Sequence, residues 1–180
     1  MEELFKVVVI GPESTGKSTL SEFLASYYET MWVPEYARQY IEELPRSYEQ
    51  SDLLVIAKGQ LELEAERAKL ANRLLVCDTD LHVIRVWSEH KYGECDPWIL
   101  AALAERRYDL YLLTYIDIPW EEDPQREHPD PAMREYFYNV YKEIVQSSGI
   151  PWVEIRGSFE EREKAAVKAV DQLLLGTDQL

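Results

Sequence analysis

Gly11-Pro12-Glu13-Ser14-Thr15-Gly16-Lys17-Ser18 matches the spacing GxxxxGK[ST], and Thr19 follows it. Residues of these types at this spacing hold a polyphosphate. Successive backbone N–H groups turn inward on the phosphate, and the glycines permit φ values that a side chain would block. A helix opening near Lys17 adds the partial positive charge of its N-terminus. Lys17 then bridges the β- and γ-phosphates and the Ser18 hydroxyl holds Mg²⁺. ATP is the expected co-substrate, and Gly11 to Thr19 is its expected binding segment. The pattern sits between a short β-branched run and a helical pattern, the context that gives it meaning.

Three further side chains have the chemistry to act beside that loop. Asp78 ends the apolar run Leu74-Leu75-Val76-Cys77. At the carboxyl edge of a parallel sheet it can complete a magnesium shell, or else cap the next helix. Asp80 is open to the same two kinds of role. Glu35 and Arg38 follow a second short run, Met31 to Val33. Glu35 can meet the hydroxyl to be phosphorylated while Arg38 orients it or a phosphate. Spaced i to i+3, the two also suit a surface ion pair.

Positioning these groups requires a sheet. Short apolar runs at Phe5–Ile10, Met31–Val33, Leu74–Asp78, Tyr108–Tyr115 and Trp152–Ile155 alternate with helical patterns. Lys17 to about Tyr28 places Leu20, Phe23, Leu24 and Tyr27 at helical spacing, and Ser51 to Asn72 stripes Leu53, Leu54, Ala57, Leu61, Ala65 and Ala68. A helix from about Asp96 opens with Asp-Pro, a cap followed by an N1 proline. Phe159 to Leu175 reads as the closing helix. This alternation predicts an α/β fold with a parallel sheet covered on both faces. The stretch from Asp117 to about Arg134, rich in proline and acidic residues, reads as a lid or as a disordered surface loop.

Composition bounds the rest. The chain has 180 residues and suits a single domain spanning 1–180. Acidic residues outnumber basic ones 34 to 19, for a formal net charge of −15, which disfavours a nucleic-acid partner. Two cysteines without a CxxC pair and three histidines without metal-ligand spacing give no zinc site or disulfide framework. The acidic N-terminus is unlike a signal peptide and no run reaches the ~18–20 apolar residues of a membrane span, so a cytoplasmic protein without a membrane partner is expected. A GTPase would show DxxG and NKxD, and a transport ATPase an LSGGQ-like segment; none occurs. A motor or AAA+ machine usually needs a longer chain. What remains is a small kinase.

Taken together, GPESTGKST, PEYARQY, IAKGQ, CDTD and DIPWEEDPQR resemble the kinase half of the bifunctional bacterial NAD-salvage proteins of the NadR type, from Lys6 to about Val170. That resemblance implies a three-layer P-loop fold of the nucleoside-kinase type, sheet order 2-3-1-4-5. It implies transfer of the ATP γ-phosphate to nicotinamide riboside, giving nicotinamide mononucleotide. It puts Glu35, Tyr36 and Arg38 in the acceptor site, Asp80 beside them, and Asp78 by the metal. Gln60 would read a carboxamide, or be a solvated helix residue. Trp120, Asp123 and Arg126 fall in the lid, with Trp120 at the substrate and Arg126 closing on the transferring phosphate. The catalytic set is then Lys17, Glu35, Asp78 and Arg126. Two features depart from the family: the chain has no HxGH-type adenylyltransferase signature, and Pro34 precedes Glu35 where some relatives carry an aromatic. A kinase for another nucleoside or small alcohol stays open, as does a nucleotide-dependent regulatory module.

Overall fold

The computed structural model describes residues 4–176; the acidic start at Glu2 and Glu3 lies outside them. Phe5–Ile10 (β1) takes the centre of the sheet because its side chains are apolar on both faces. It pairs in parallel with Leu74–Asp78 (β3) on one side and Leu110–Thr114 (β4) on the other. Met31–Val33 (β2) adds to β3 and Trp152–Ile155 (β5) to β4, so the order is β2-β3-β1-β4-β5, as the resemblance implied.

Alternation along β1 splits the core. Val7 and Val9 face Lys17–Tyr27 (α1) and Phe159–Leu175 (α7), packing with Leu20, Leu24, Ala166 and Val170. Val8 and Ile10 face the other layer, with Val86, Phe137, Tyr141 and Val145. That layer holds Gln50–Ala68 (α3), Leu81–Tyr92 (α4) and Pro131–Ser147 (α6), while Tyr36–Glu43 (α2) and Pro97–Glu105 (α5) pack around α3 and α4. Each fully buried aliphatic such as Ile10 or Leu113 contributes on the order of 2 kcal/mol.

Local chemistry sets the helix ends. Asp96 and Asp130 each accept the N–H two residues on, ahead of a proline in the first turn. Ser158 and Glu161 form a capping box at α7. The predicted long helix ends at Ala68 rather than Asn72, and Arg73 turns the chain with φ 60°. Sequence periodicity missed α2, a short helix hidden behind Pro34. The strand expected over Tyr108–Tyr115 is shorter at both ends and spans Leu110–Thr114. The expected lid of 117–134 is irregular through Asp130, and its last residues form the first turn of α6. Among the described residues no helix is long and apolar enough to cross a membrane.

Candidate active site

The phosphate loop leaves β1 at Gly11, whose φ is +155° and where a Cβ would stand 2.3 Å from the Thr114 hydroxyl. Only glycine passes that point without moving β4. Ser14 adopts φ 55°, a strained value for a residue with a side chain, and Gly16 caps α1 in the left-handed region. The loop is braced from inside. The Thr15 hydroxyl donates to the Pro12 carbonyl at 2.7 Å and lies 2.7 Å from the Thr114 hydroxyl. Lys17 Nζ donates to the same Pro12 carbonyl at 2.8 Å. Arg162, 3% exposed, donates to the Thr15, Tyr115 and Gly157 carbonyls and pairs with Asp117. It therefore joins the loop, the lid root and the turn before α7. Arg162 escaped the motif reading, yet it sits four, seven and eight residues before Ala166, Ala169 and Val170, in the middle of an apolar stripe. A lone arginine there was the available signal.

Asp78 ends β3 with its carboxylate beneath the loop. Oδ2 accepts from the Ser18 hydroxyl at 2.5 Å, and Oδ1 is buried with no hydrogen-bond partner. A hydroxyl and an orphaned carboxylate oxygen form a hard-oxygen donor set that fits Mg²⁺ arriving with phosphates. Among the described residues no cluster of three His, Cys, Asp or Glu would hold a metal by itself. Burial, then the charge of Glu35, pushes the Asp78 carboxyl up to about 7.

Asp78 thus destabilises the nucleotide-free fold when ionised. Because its folded value is raised, the penalty is absent below the unfolded value near 4 and complete above about 7. Asp78→Asn should therefore stabilise the nucleotide-free protein at about pH 8 by on the order of 2–4 kcal/mol, with the gain vanishing toward pH 4. Urea unfolding without Mg²⁺ at both pH values checks this, and a variant less stable at pH 8 contradicts it.

Glu35 is the N-cap residue of α2 and lines the cleft, its carboxylate without a side-chain partner among the described residues. The residues around it have other tasks. Gln60, 3% exposed, accepts from the Tyr36 N–H at 2.7 Å and donates to the Pro34 carbonyl at 3.3 Å. Its amide braces the backbone on both sides of Glu35, and its burial rules out the alternative of a solvated helix residue. The Tyr36 ring lies on α3 where Gly59 leaves room; a Cβ there would meet it at 2.2 Å. Asp80, rather than Asp78, is the helix cap: it accepts from the His82 N–H and ring and from the Tyr111 hydroxyl. Tyr36, Gln60, Asp78, Asp80 and Trp120 are all absent from the cleft walls, and Asp78 meets the cleft only through its bond to Ser18.

The lid is folded down on the loop. Glu13 lines the cleft and accepts the N–H groups of Glu127 and His128 at 3.1 Å. Arg38 pairs with Asp123 at 2.8 Å, so its guanidinium serves the lid in this state. Arg126 and Arg134 flank the Trp120 ring at 6.0 and 5.8 Å and converge on Ser14. Arg126 reaches the Ser14 hydroxyl at 3.4 Å and the Glu121 carbonyl at 2.6 Å, while Arg134 donates to the Ser14 and Ile118 carbonyls. Between lid and sheet lies a cleft of about 270 Å³. Its inner part is walled by Val83, Val86, Trp87 and His90 from α4 and by Phe137 and Tyr141 from α6, none of which the motifs flagged.

A family model described as an AAA domain matches residues 6–162. The chain belongs to that family. Chain length argues against an AAA+ machine, but the family bears the AAA name, so length does not set this chain apart from proteins so named. The chain is also similar to the trifunctional NAD biosynthesis/regulator protein NadR of Salmonella typhimurium and of Escherichia coli. It is 29% identical to each over 175 residues, which is 93% of this chain and 42% of theirs. The chain thus spans less than half the length of these curated relatives. A crystal structure of NadR in complex with NR superposes with a TM-score of 0.76 at 24% identity, over 94% of this chain and 51% of that one. Thymidylate kinase from Ehrlichia chaffeensis shares the fold at a TM-score of 0.60 and 12% identity, over 95% of this chain and 99% of that one.

Proposed function

We propose that this AAA-domain chain is an Mg²⁺-dependent kinase that moves the ATP γ-phosphate to a hydroxyl of a small nucleoside, with nicotinamide riboside as acceptor and nicotinamide mononucleotide as product. The observation that carries it is one cleft walled by the phosphate loop with Lys17 and Ser18 and by an unpaired Glu35, with Asp78 bonded behind Ser18, under a lid with two arginines. A passive nucleotide binder needs neither the second carboxylate nor the lid arginines. The likeness to NadR proteins supports the choice of acceptor.

In this reading the loop N–H groups and Lys17 hold the polyphosphate. Ser18 and Asp78 would hold Mg²⁺, which would neutralise phosphate charge when bound. Glu35 accepts the proton of the acceptor hydroxyl as its oxygen bonds to the γ-phosphorus. The bond from that phosphorus to the β–γ bridging oxygen breaks, and ADP leaves. Lys17, and Arg126 once it leaves Ser14, meet the charge that develops on the transferring group.

The purified chain should convert nicotinamide riboside and ATP to nicotinamide mononucleotide and ADP, and should make no NAD, because it carries no HxGH-type adenylyl site. Mass analysis of the products checks both halves. No mononucleotide from the riboside would refute the acceptor, and an NAD peak would refute the second statement.

A further inference from the structure

The α6 layer contains four buried or nearly buried tyrosine hydroxyls, and three have partners. Tyr108 donates to Glu64, Tyr111 to Asp80 and Tyr138 to Glu154. Tyr141 is 6% exposed, and among the described residues its hydroxyl has no hydrogen-bond partner. Nor is it one of the sealed orphan atoms of the core, so it opens onto the cleft that Tyr141 lines. A hydroxyl on the wall of a largely apolar pocket that makes no bond within the protein is free to donate to a ligand lodged there.

We propose that Tyr141 is an acceptor-binding residue, its hydroxyl donating to an uncharged oxygen of a nucleoside whose flat ring lodges between α4 and α6. Val83, Val86, Trp87 and Phe137 supply the apolar and aromatic walls such a ring needs. Burial, then the charges of Glu35 and Glu13, holds the phenol neutral at all working pH values, so it stays a donor. The same two carboxylates select the ligand class. A neutral or cationic ring fits, whereas a ring bearing a carboxylate adds a further negative charge beside them. This inference rests on the kinase reading and says which wall of the cleft reads the acceptor.

The test is steady-state kinetics of wild type and Tyr141→Phe with nicotinamide riboside, nicotinic acid riboside, adenosine, cytidine and thymidine, alongside thermal melting. Losing one neutral hydrogen bond should raise the KM for nicotinamide riboside about tenfold, with kcat and the KM for ATP within about twofold. The melting temperature without substrate should hold or rise, since nothing in the protein loses a partner; a merely structural hydroxyl would lower it. Wild type should prefer nicotinamide riboside over nicotinic acid riboside by more than about tenfold in kcat/KM. Equal use of the two overturns the charge selection. If wild type ignores the riboside but turns over another nucleoside, the proposed acceptor is wrong. Tyr141→Phe must then raise the KM for that nucleoside. An unchanged KM for every nucleoside turned over, or a fall in melting temperature, overturns the role of Tyr141 and leaves the kinase reading standing. No turnover of any nucleoside overturns both.

Discussion

Replacing Lys17 by alanine should lower phosphoryl transfer by at least ~10³-fold and leave the fold standing. Both halves follow from where the ammonium sits. Lys17 is the first residue of α1, and its Nζ spans the loop to the Pro12 carbonyl. That carbonyl also accepts from the Thr15 hydroxyl, so it keeps a partner when the lysine goes. The Thr15–Thr114 contact and the Arg162 bond to the Thr15 carbonyl hold the loop independently. No core packing is lost either, since the ammonium meets a carbonyl rather than an apolar wall. What disappears is a positive charge beside the β/γ bridge, where negative charge grows as the phosphoryl group leaves. Lys17→Met, which keeps the stem, should lose as much. ADP formation measured beside melting curves checks the pair. Near wild-type turnover with an unchanged melting profile would remove Lys17 from the transferring phosphate and the reaction from this loop.

Arg126→Ala should reduce kcat by about 10³-fold or more while changing the ATP KM far less. This guanidinium makes a long 3.4 Å approach to the Ser14 hydroxyl and one bond to a lid carbonyl. Arg134 is the rival. It is tied to two backbone carbonyls, with its Nε buried and unpaired, and burial and the nearby charge of Arg126 bring its pKa down. Moving Arg134 to a phosphate would break the contacts that hold the lid root on the loop. Its replacement should therefore weaken ATP binding and lid closure more than the chemical step. Single and double variants, each resolved into kcat and KM, separate the two. A loss confined to Arg134→Ala would transfer the role there; losses of only a few-fold in all three would mean the lid carries no catalytic charge.

Much of this molecule is legible in the amino-acid sequence, for local reasons. A phosphate loop announces itself because its geometry demands glycine, lysine and serine at set intervals. The central strands do so because a strand covered on both faces must be largely apolar: Phe5–Ile10 and Leu74–Asp78 lie where the residue types put them. Asp96-Pro97 and the Ser158 start of α7 are equally local, since a cap is a bond between near neighbours. The sheet order came only with the resemblance, because pairing joins segments such as β1 and β3 that are far apart in the chain.

What the tertiary structure alone decided is which polar side chains are free to act. Residue type and spacing cannot tell that Gln60 braces the backbone around Glu35, or that Asp80 is consumed by His82 and Tyr111. Nor can they show that Arg38 and Glu13 are engaged with the lid in this state. Each of those bonds except the Asp80 cap spans more than twenty residues, and a hydrogen-bonding side chain looks the same in sequence whether or not its partner exists. The converse holds for Tyr141. Phe137, Tyr138, Tyr141 and Val145 form one apolar stripe at helical spacing, and nothing along the chain distinguishes the tyrosine whose hydroxyl is paired from the one whose hydroxyl faces the cleft. Sequence determines what a side chain is able to do; only the fold's long-range contacts decide which of those abilities is left unspent.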